Sequence, residues 1–284
     1  VKEAIDKAKK IARSEEYMRE FNNIVSRNDI LIVYDVEGLI PASTLLNLFL
    51  TLKPSTSITL LPLEIFYSVQ APYFSKPTII FLTDIKNTPR ASDTLRIMSI
   101  PHIVFTPKIP KNFPLHRQGF KIIELPENVD RKEAIFIEMY ASSIMLLKNL
   151  DASIKRIGRV QSEILTLDEV IGDLLEYYRE ECDEIVDTLK SEESTTILYT
   201  ELMKPIAQYL YNKVSIKSEC KQLSLLPLAL VTKYGLPLVS NVIVFRTGME
   251  DDLYKIFKVK MGLNLKDRKV IDVNLKTDPL TVPY

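Results

Sequence analysis

The feature that most constrains this chain is a train of short apolar segments set between helical ones. Ile30–Val36, Ser57–Leu61, Pro77–Thr83, His102–Phe105 and Lys121–Leu125 are each only four to seven residues long. They are mostly apolar on both alternating sets of positions. That pattern predicts strands covered on both faces, as in a parallel sheet between helix layers. Ala42–Leu52, Leu63–Gln70 and Pro89–Met98 supply helical candidates between them. Strands alternating with helices in this way predict an α/β doubly wound fold.

The flanking segments are helical in pattern. Val1–Val25 places an apolar residue every three or four positions and reads as one amphipathic helix. Arg131–Leu150 reads as a buried helix, and Ala152–Lys190 as a long charged one that breaks near Thr166–Leu167. A second α/β pattern begins at Thr195–Thr200, continues through a helix at Met203–Ser218, and has later strands at Asn241–Arg246 and Lys269–Leu275 around a helix near Glu250–Met261. The expected organisation is an N-terminal domain over 1–150, a helical connector over 151–194 and a C-terminal domain over 195–284, related as an internal repeat.

Composition narrows the functions. Thirty-seven basic residues balance thirty-seven acidic ones, so no net field favours nucleic acid or an anionic membrane. No apolar run reaches the roughly 20 residues that span a bilayer, and the start carries no secretory pattern. Two cysteines, Cys182 and Cys220, are too few for a disulfide framework, and the expected compartment is the cytoplasm. Abundant Ile, Lys and Glu without Trp are compatible with a thermophilic source. Only seven glycines occur. Phosphate-cradling loops rely on glycine for close backbone approach, so this scarcity counts against an intact cradle.

Four local stretches carry a resemblance. The turn Ala71-Pro72-Tyr73-Phe74 leads into Pro77–Thr83 and the polar loop Thr83-Asp84-Ile85-Lys86-Asn87-Thr88. Thr196–Ala207 contains Tyr199 and the Pro205-x-Ala207 pair, and the helix that follows ends in Ile216-Lys217-Ser218-Glu219-Cys220-Lys221. Val242–Arg246 is followed by acidic residues. In order and spacing these resemble the archaeal bifunctional phosphoglucose/phosphomannose isomerases, which are double SIS-domain proteins. The resemblance implies two three-layer αβα sandwiches with mainly parallel sheets, a sugar phosphate as ligand, no cofactor and a homodimer. It places Thr83, Lys86, Asn87 and Thr88 in a phosphate-binding loop and Glu219 at the catalytic base that moves a proton between C1 and C2 of an open-chain sugar. Arg117, next to His116, is a further candidate near the family's Pro-Arg motif.

The departures are as informative. Where the family has a Gly-Met-Gly-Gly-Ser turn after the first strand, this chain has Asp35-Val36-Glu37-Gly38-Leu39. Carboxylates there would repel a bound phosphate. Ile85 and Lys86 replace a serine and a glycine of the second loop. The stretch Val231–Pro237 holds no histidine where the family has its ring-opening one. Each candidate also has a plainer reading. Thr83 and Thr88 fit ordinary strand-end and helix N-cap positions with Pro89 following. Glu219 fits a solvated glutamate between Lys217 and Lys221, and Cys220 a structural thiol. Asp35 and Glu37, without a His or Cys cluster, make a poor metal site. Two functional expectations follow: an aldose–ketose isomerase of hexose 6-phosphates, and a catalytically inactive SIS scaffold serving as a ligand sensor or protein-interaction partner.

Overall fold

The computed structural model describes all residues except positions 71–72, 74, 90, 92–93, 96–98, 100, 111–119, 192, 218–221, 235–239, 263–267 and 276–284. The chain divides into two compact units, Val1–Glu169 and Val170–Pro283. Each contains one parallel sheet.

In the first unit the strands are β1 (Asp29–Tyr34), β2 (Ser57–Pro62), β3 (Thr78–Phe81), β4 (His102–Thr106) and β5 (Ile122–Glu124), in the spatial order β2-β1-β3-β4-β5. All pairings are parallel, with Ile32 opposite Leu60 on one side and Ile79 on the other. The absence of alternation in β1 has the expected cause: Ile30, Leu31, Ile32 and Val33 are all fully buried. Leu31 and Val33 face a cluster with Leu63, Phe66, Ile80 and Leu95. The opposite face is covered by the helices α2 (Glu15–Val25), α3 (Leu39–Leu52) and α4 (Arg131–Lys148), with α1 (Lys2–Ile11) laid against α4. Phe21 of α2 meets Phe105 edge-on at 6.2 Å, and Phe105 stacks on Phe81 at 5.0 Å.

The opening segment is two helices rather than one. Ser14 interrupts it: its hydroxyl accepts from the Tyr17 backbone N–H, and Glu15 and Glu16 follow in the first turn. A capping side chain followed by acidic residues starts a new helix rather than continuing an old one. The charged segment after Leu150 is three helices, α5 (Lys155–Leu165), α6 (Leu167–Tyr177) and α7 (Arg179–Lys190), with the expected break at Thr166 and a second at Tyr178.

The second unit has β6 (Thr195–Tyr199), β7 (Leu223–Pro227), β8 (Asn241–Thr247) and β9 (Val270–Leu275) in the order β7-β6-β8-β9. Its helices include α8 (Lys204–Lys217), α9 (Leu228–Tyr234) and α10 (Asp251–Met261). One face of the sheet, with Ile197, Tyr199, Ile243 and Phe245, packs on Ile185 and Leu189 of α7 and Ala207 of α8. The other, with Leu198, Val242 and Val244, packs on Val231 of α9 and Tyr254 and Phe257 of α10. Both units are therefore sheets between helix layers.

Candidate functional site

In a doubly wound sheet the ligand crevice opens where successive connections leave in opposite directions, at the carboxyl ends of the strands. In the first unit that point lies between β1 and β3. Strand β1 delivers Asp35 there and β3 delivers Thr83. The Asp35 backbone N–H donates to the Phe81 carbonyl at 3.1 Å, which locks the two strand ends together.

The side chain of Asp35 is 2% exposed and points into the loop that follows β3. Its Oδ1 accepts from the Gly38 backbone N–H at 2.9 Å and from the Thr83 hydroxyl at 2.8 Å. Its Oδ2 accepts from the backbone N–H groups of Thr83 at 2.9 Å and Asp84 at 3.0 Å, and from Asn87 Nδ2 at 3.0 Å. Backbone amides, a threonine hydroxyl and an asparagine amide are the donors that would hold an oxyanion. Here one carboxylate of the chain itself takes them. Gly38 permits this approach, because a Cβ at that position would lie 2.8 Å from the Phe81 carbonyl oxygen and 3.0 Å from Asp35 Oδ1.

Two further carboxylates border the loop. Arg131, at the first turn of α4, bonds Glu37 through Nε at 2.9 Å and Asp84 through a terminal nitrogen at 2.6 Å. It ties the turn after β1 to the loop after β3. Asp84 also caps the short helical turn Ile85–Asn87 by accepting from the Lys86 backbone N–H. Glu138 of α4 is fully buried, and among the described residues neither of its oxygens has a hydrogen-bond partner. Burial first, and the negative charge of Asp35 second, push its carboxyl well above the usual range, which favours the protonated form.

Of the candidate residues, Thr83 and Asn87 converge on Asp35. Thr88 is buried, and its hydroxyl has no partner among the described residues. Lys86 turns its side chain to solvent. Glu219, Arg117, His116 and Cys220 lie outside the described residues. Arg131 and Glu138 were not anticipated. Neither carries a sequence signal beyond its place in a helix; only the folded α4 brings them to the strand ends.

In the second unit the ends of β6 and β8 are joined by the same kind of backbone bond. The Thr200 backbone N–H donates to the Phe245 carbonyl at 3.1 Å, as Asp35 does to Phe81. At the end of β8 the Thr247 backbone N–H and hydroxyl donate to the Glu250 carboxylate at 2.8 and 2.9 Å. This is a capping box local to the turn after β8. Beside it, the guanidinium of Arg246 is 5% exposed as a residue, pairs with both oxygens of Asp272 at 2.7 and 2.8 Å, bonds Asp251, and lies 4.2 Å from the Tyr254 ring centroid. Its donors are spent inside the protein. A cleft of about 580 Å³ next to it is lined by Tyr177, Tyr178, Glu181, Asp272 and Asn274. Among the described residues no cluster of His, Cys, Asp and Glu could hold a metal ion.

Solved structures share this architecture. The C-terminal domain of glucosamine-fructose-6-phosphate aminotransferase from Francisella tularensis superposes with a TM-score of 0.66 at 12% identity, over 99% of this chain and 88% of that one. The tagatose-6-phosphate ketose/aldose isomerase from Escherichia coli does so with a TM-score of 0.64 at 10% identity, over 99% and 80%. The likeness is one of fold. No protein-family model matches the sequence, and no curated protein sequence does. The narrower resemblance to the archaeal phosphoglucose/phosphomannose isomerases thus rests on its four sequence stretches alone. No helix among the described residues is long and apolar enough to cross a membrane.

Proposed function

We propose that this chain is a double SIS-type protein, with halves at 1–150 and 195–284 joined by helices, that serves as a non-catalytic scaffold or sensor. The observation that carries this reading is the Asp35 carboxylate seated in the donor set of the Thr83–Asn87 loop. A sugar phosphate needs those same donors. To take them it must expel a buried, multiply bonded carboxylate and then sit beside Glu37 and Asp84, both already negative neighbours. Charge-assisted hydrogen bonds are each worth about 1.5–3 kcal/mol, and like charges in a cleft of low dielectric repel strongly. The internal occupant holds the advantage.

A second reading keeps the ligand. The solved structures of the same fold include enzymes named for hexose-phosphate chemistry, and the loop Thr83–Thr88 keeps hydroxyls and amides at the place where an anion would bind. In that reading Glu219 is the base, and the sugar phosphate is bound at a site that Asp35 leaves open.

Thermal unfolding with inorganic phosphate, fructose 6-phosphate and glucose 6-phosphate separates them, because a ligand bound by the native state raises its stability. The scaffold reading expects no shift for the wild-type chain and a phosphate-dependent rise for Asp35→Gly, which vacates the donors. A saturable rise in the wild type, joined by isomerase turnover that disappears in Glu219→Gln, would establish the second reading.

A further inference from the structure

The cleft beside Arg246 offers hydrogen-bond acceptors that nothing in the chain satisfies. It lies along β9, the edge strand of the second sheet. Asp272 and Asn274, two residues apart on that strand, share one of its faces. The break between α6 and α7 supplies another wall. Tyr177 ends the first helix, Tyr178 forms the junction, and Glu181 stands in the first turn of the second. The two tyrosine rings meet edge to face at 4.8 Å, and Leu174 adds apolar surface one turn before them.

The polar groups of this cleft differ in what they have left to give. Arg246 is paired with Asp272 and Asp251, and it occupies both oxygens of Asp272. Glu181 enters no ion pair or hydrogen bond among the described residues. Asn274 Oδ1 is buried and receives no donor among them. A buried carbonyl oxygen without a donor is costly, and folded proteins leave few of them. The cleft therefore combines one uncompensated negative charge, one orphan acceptor and an exposed aromatic ring. An anion would meet the carboxylates of Glu181 and Asp272 and be repelled. A cation with N–H groups suits all three features. It donates to Asn274 Oδ1, pairs with Glu181 and lies against the negative face of a tyrosine ring.

We propose that this cleft binds a small organic cation carrying N–H donors, a primary amine or a guanidinium on a short aliphatic stem. Its volume of about 580 Å³ is in the range of small-molecule sites, and Leu174 offers the stem an apolar surface. A quaternary ammonium would meet the ring and the charge but leave Asn274 Oδ1 without a donor, so the N–H groups set the specificity. The proposal rests on residues of the second unit alone. It holds whether or not the Thr83–Asn87 loop of the first unit takes an anion.

The test is isothermal titration calorimetry of the whole chain with two probes. Agmatine carries a guanidinium and an amine on a butyl stem; tetramethylammonium carries the charge without any N–H. One agmatine is expected to bind per chain with a saturable isotherm, and tetramethylammonium at least about tenfold more weakly. Glu181→Gln and Asn274→Leu are each expected to weaken agmatine by about tenfold. Asn274→Leu also separates binding from folding. It removes an unpaired buried acceptor, so the free protein is expected to unfold at the same temperature or higher while its affinity falls. Glu181→Gln, at a partly exposed position, carries the test by itself if the other variant fails to fold. The absence of saturable agmatine binding overturns the proposal. So does an affinity that either substitution leaves unchanged in a folded protein, and so does tetramethylammonium bound as tightly as agmatine.

Discussion

Asp35 shows how one side chain can decide the state of a site. Five donors converge on it, so Asp35→Ala strands several buried N–H groups at once. Each unsatisfied buried group costs about 1–3 kcal/mol. The variant is expected to lose about 3 kcal/mol in urea unfolding, and a loss below 1 kcal/mol would show that the loop does not depend on the carboxylate. Gly38→Ala acts on the same spot by crowding, because the added methyl meets the Phe81 carbonyl and Asp35. The expected loss is about 1–3 kcal/mol in the same measurement. Glu138 adds a pH dependence. Its raised native pKa means that the folded state keeps a proton which the unfolded chain releases. Its contribution is therefore most favourable below the ordinary carboxylate pKa and declines as pH rises from there toward the native value. Glu138→Gln cannot ionise. Its stability relative to the wild type is expected to improve as pH rises above the ordinary carboxylate pKa, and a difference that does not change with pH would remove the assignment.

At the scale of elements, legibility followed burial. Strands β1, β3, β4, β6 and β8 were readable because both of their faces are buried, which favours apolar runs such as Ile30–Val33 and Val242–Phe245. Strand β7 was not read, although the edge strand β2, equally intermediate in burial and also ending in proline, was; in β7 the sequence Leu-Ser-Leu-Leu-Pro runs on into the apolar start of α9 and carries no boundary. The split between α1 and α2 was legible in principle. Ser14-Glu15-Glu16 is a capping signal, but the apolar period on either side of it masked the break. Ser14→Ala is expected to cost about 0.5–1 kcal/mol, read by urea unfolding, with little change if α2 is held only by Phe21, Ile24 and Val25 in the core. The candidate loop was found for the reason that made it suspect. Its threonines and asparagine are anion donors by type, while the acidic turn at Asp35 was read as repelling a ligand. That the carboxylate would itself fill the donor set required the parallel register of β1 and β3, which puts residue 35 beside residue 83.

The whole molecule is two units with separate cores: Asp35 fills the strand-end donor set of the first, and Glu250 caps the turn after β8 in the second. In the second unit the buried charge of Arg246 depends on Asp272 for two of its hydrogen bonds. Removing Asp272 leaves Arg246 with Asp251 as its carboxylate partner, so the cost should be less than the ~3–5 kcal/mol of a buried charge left without any partner. Because the cores are separate, the cost should fall on one unit alone. Calorimetric unfolding is expected to resolve into two components, since chains with more than one core depart from a single all-or-none transition. Asp35→Ala should lower one component and Asp272→Ala the other, with the double variant lowering each component by the amount its own single variant does. A single transition lowered by either substitution would mean that the two cores unfold as one, and that the energetic unit is the whole chain rather than its halves.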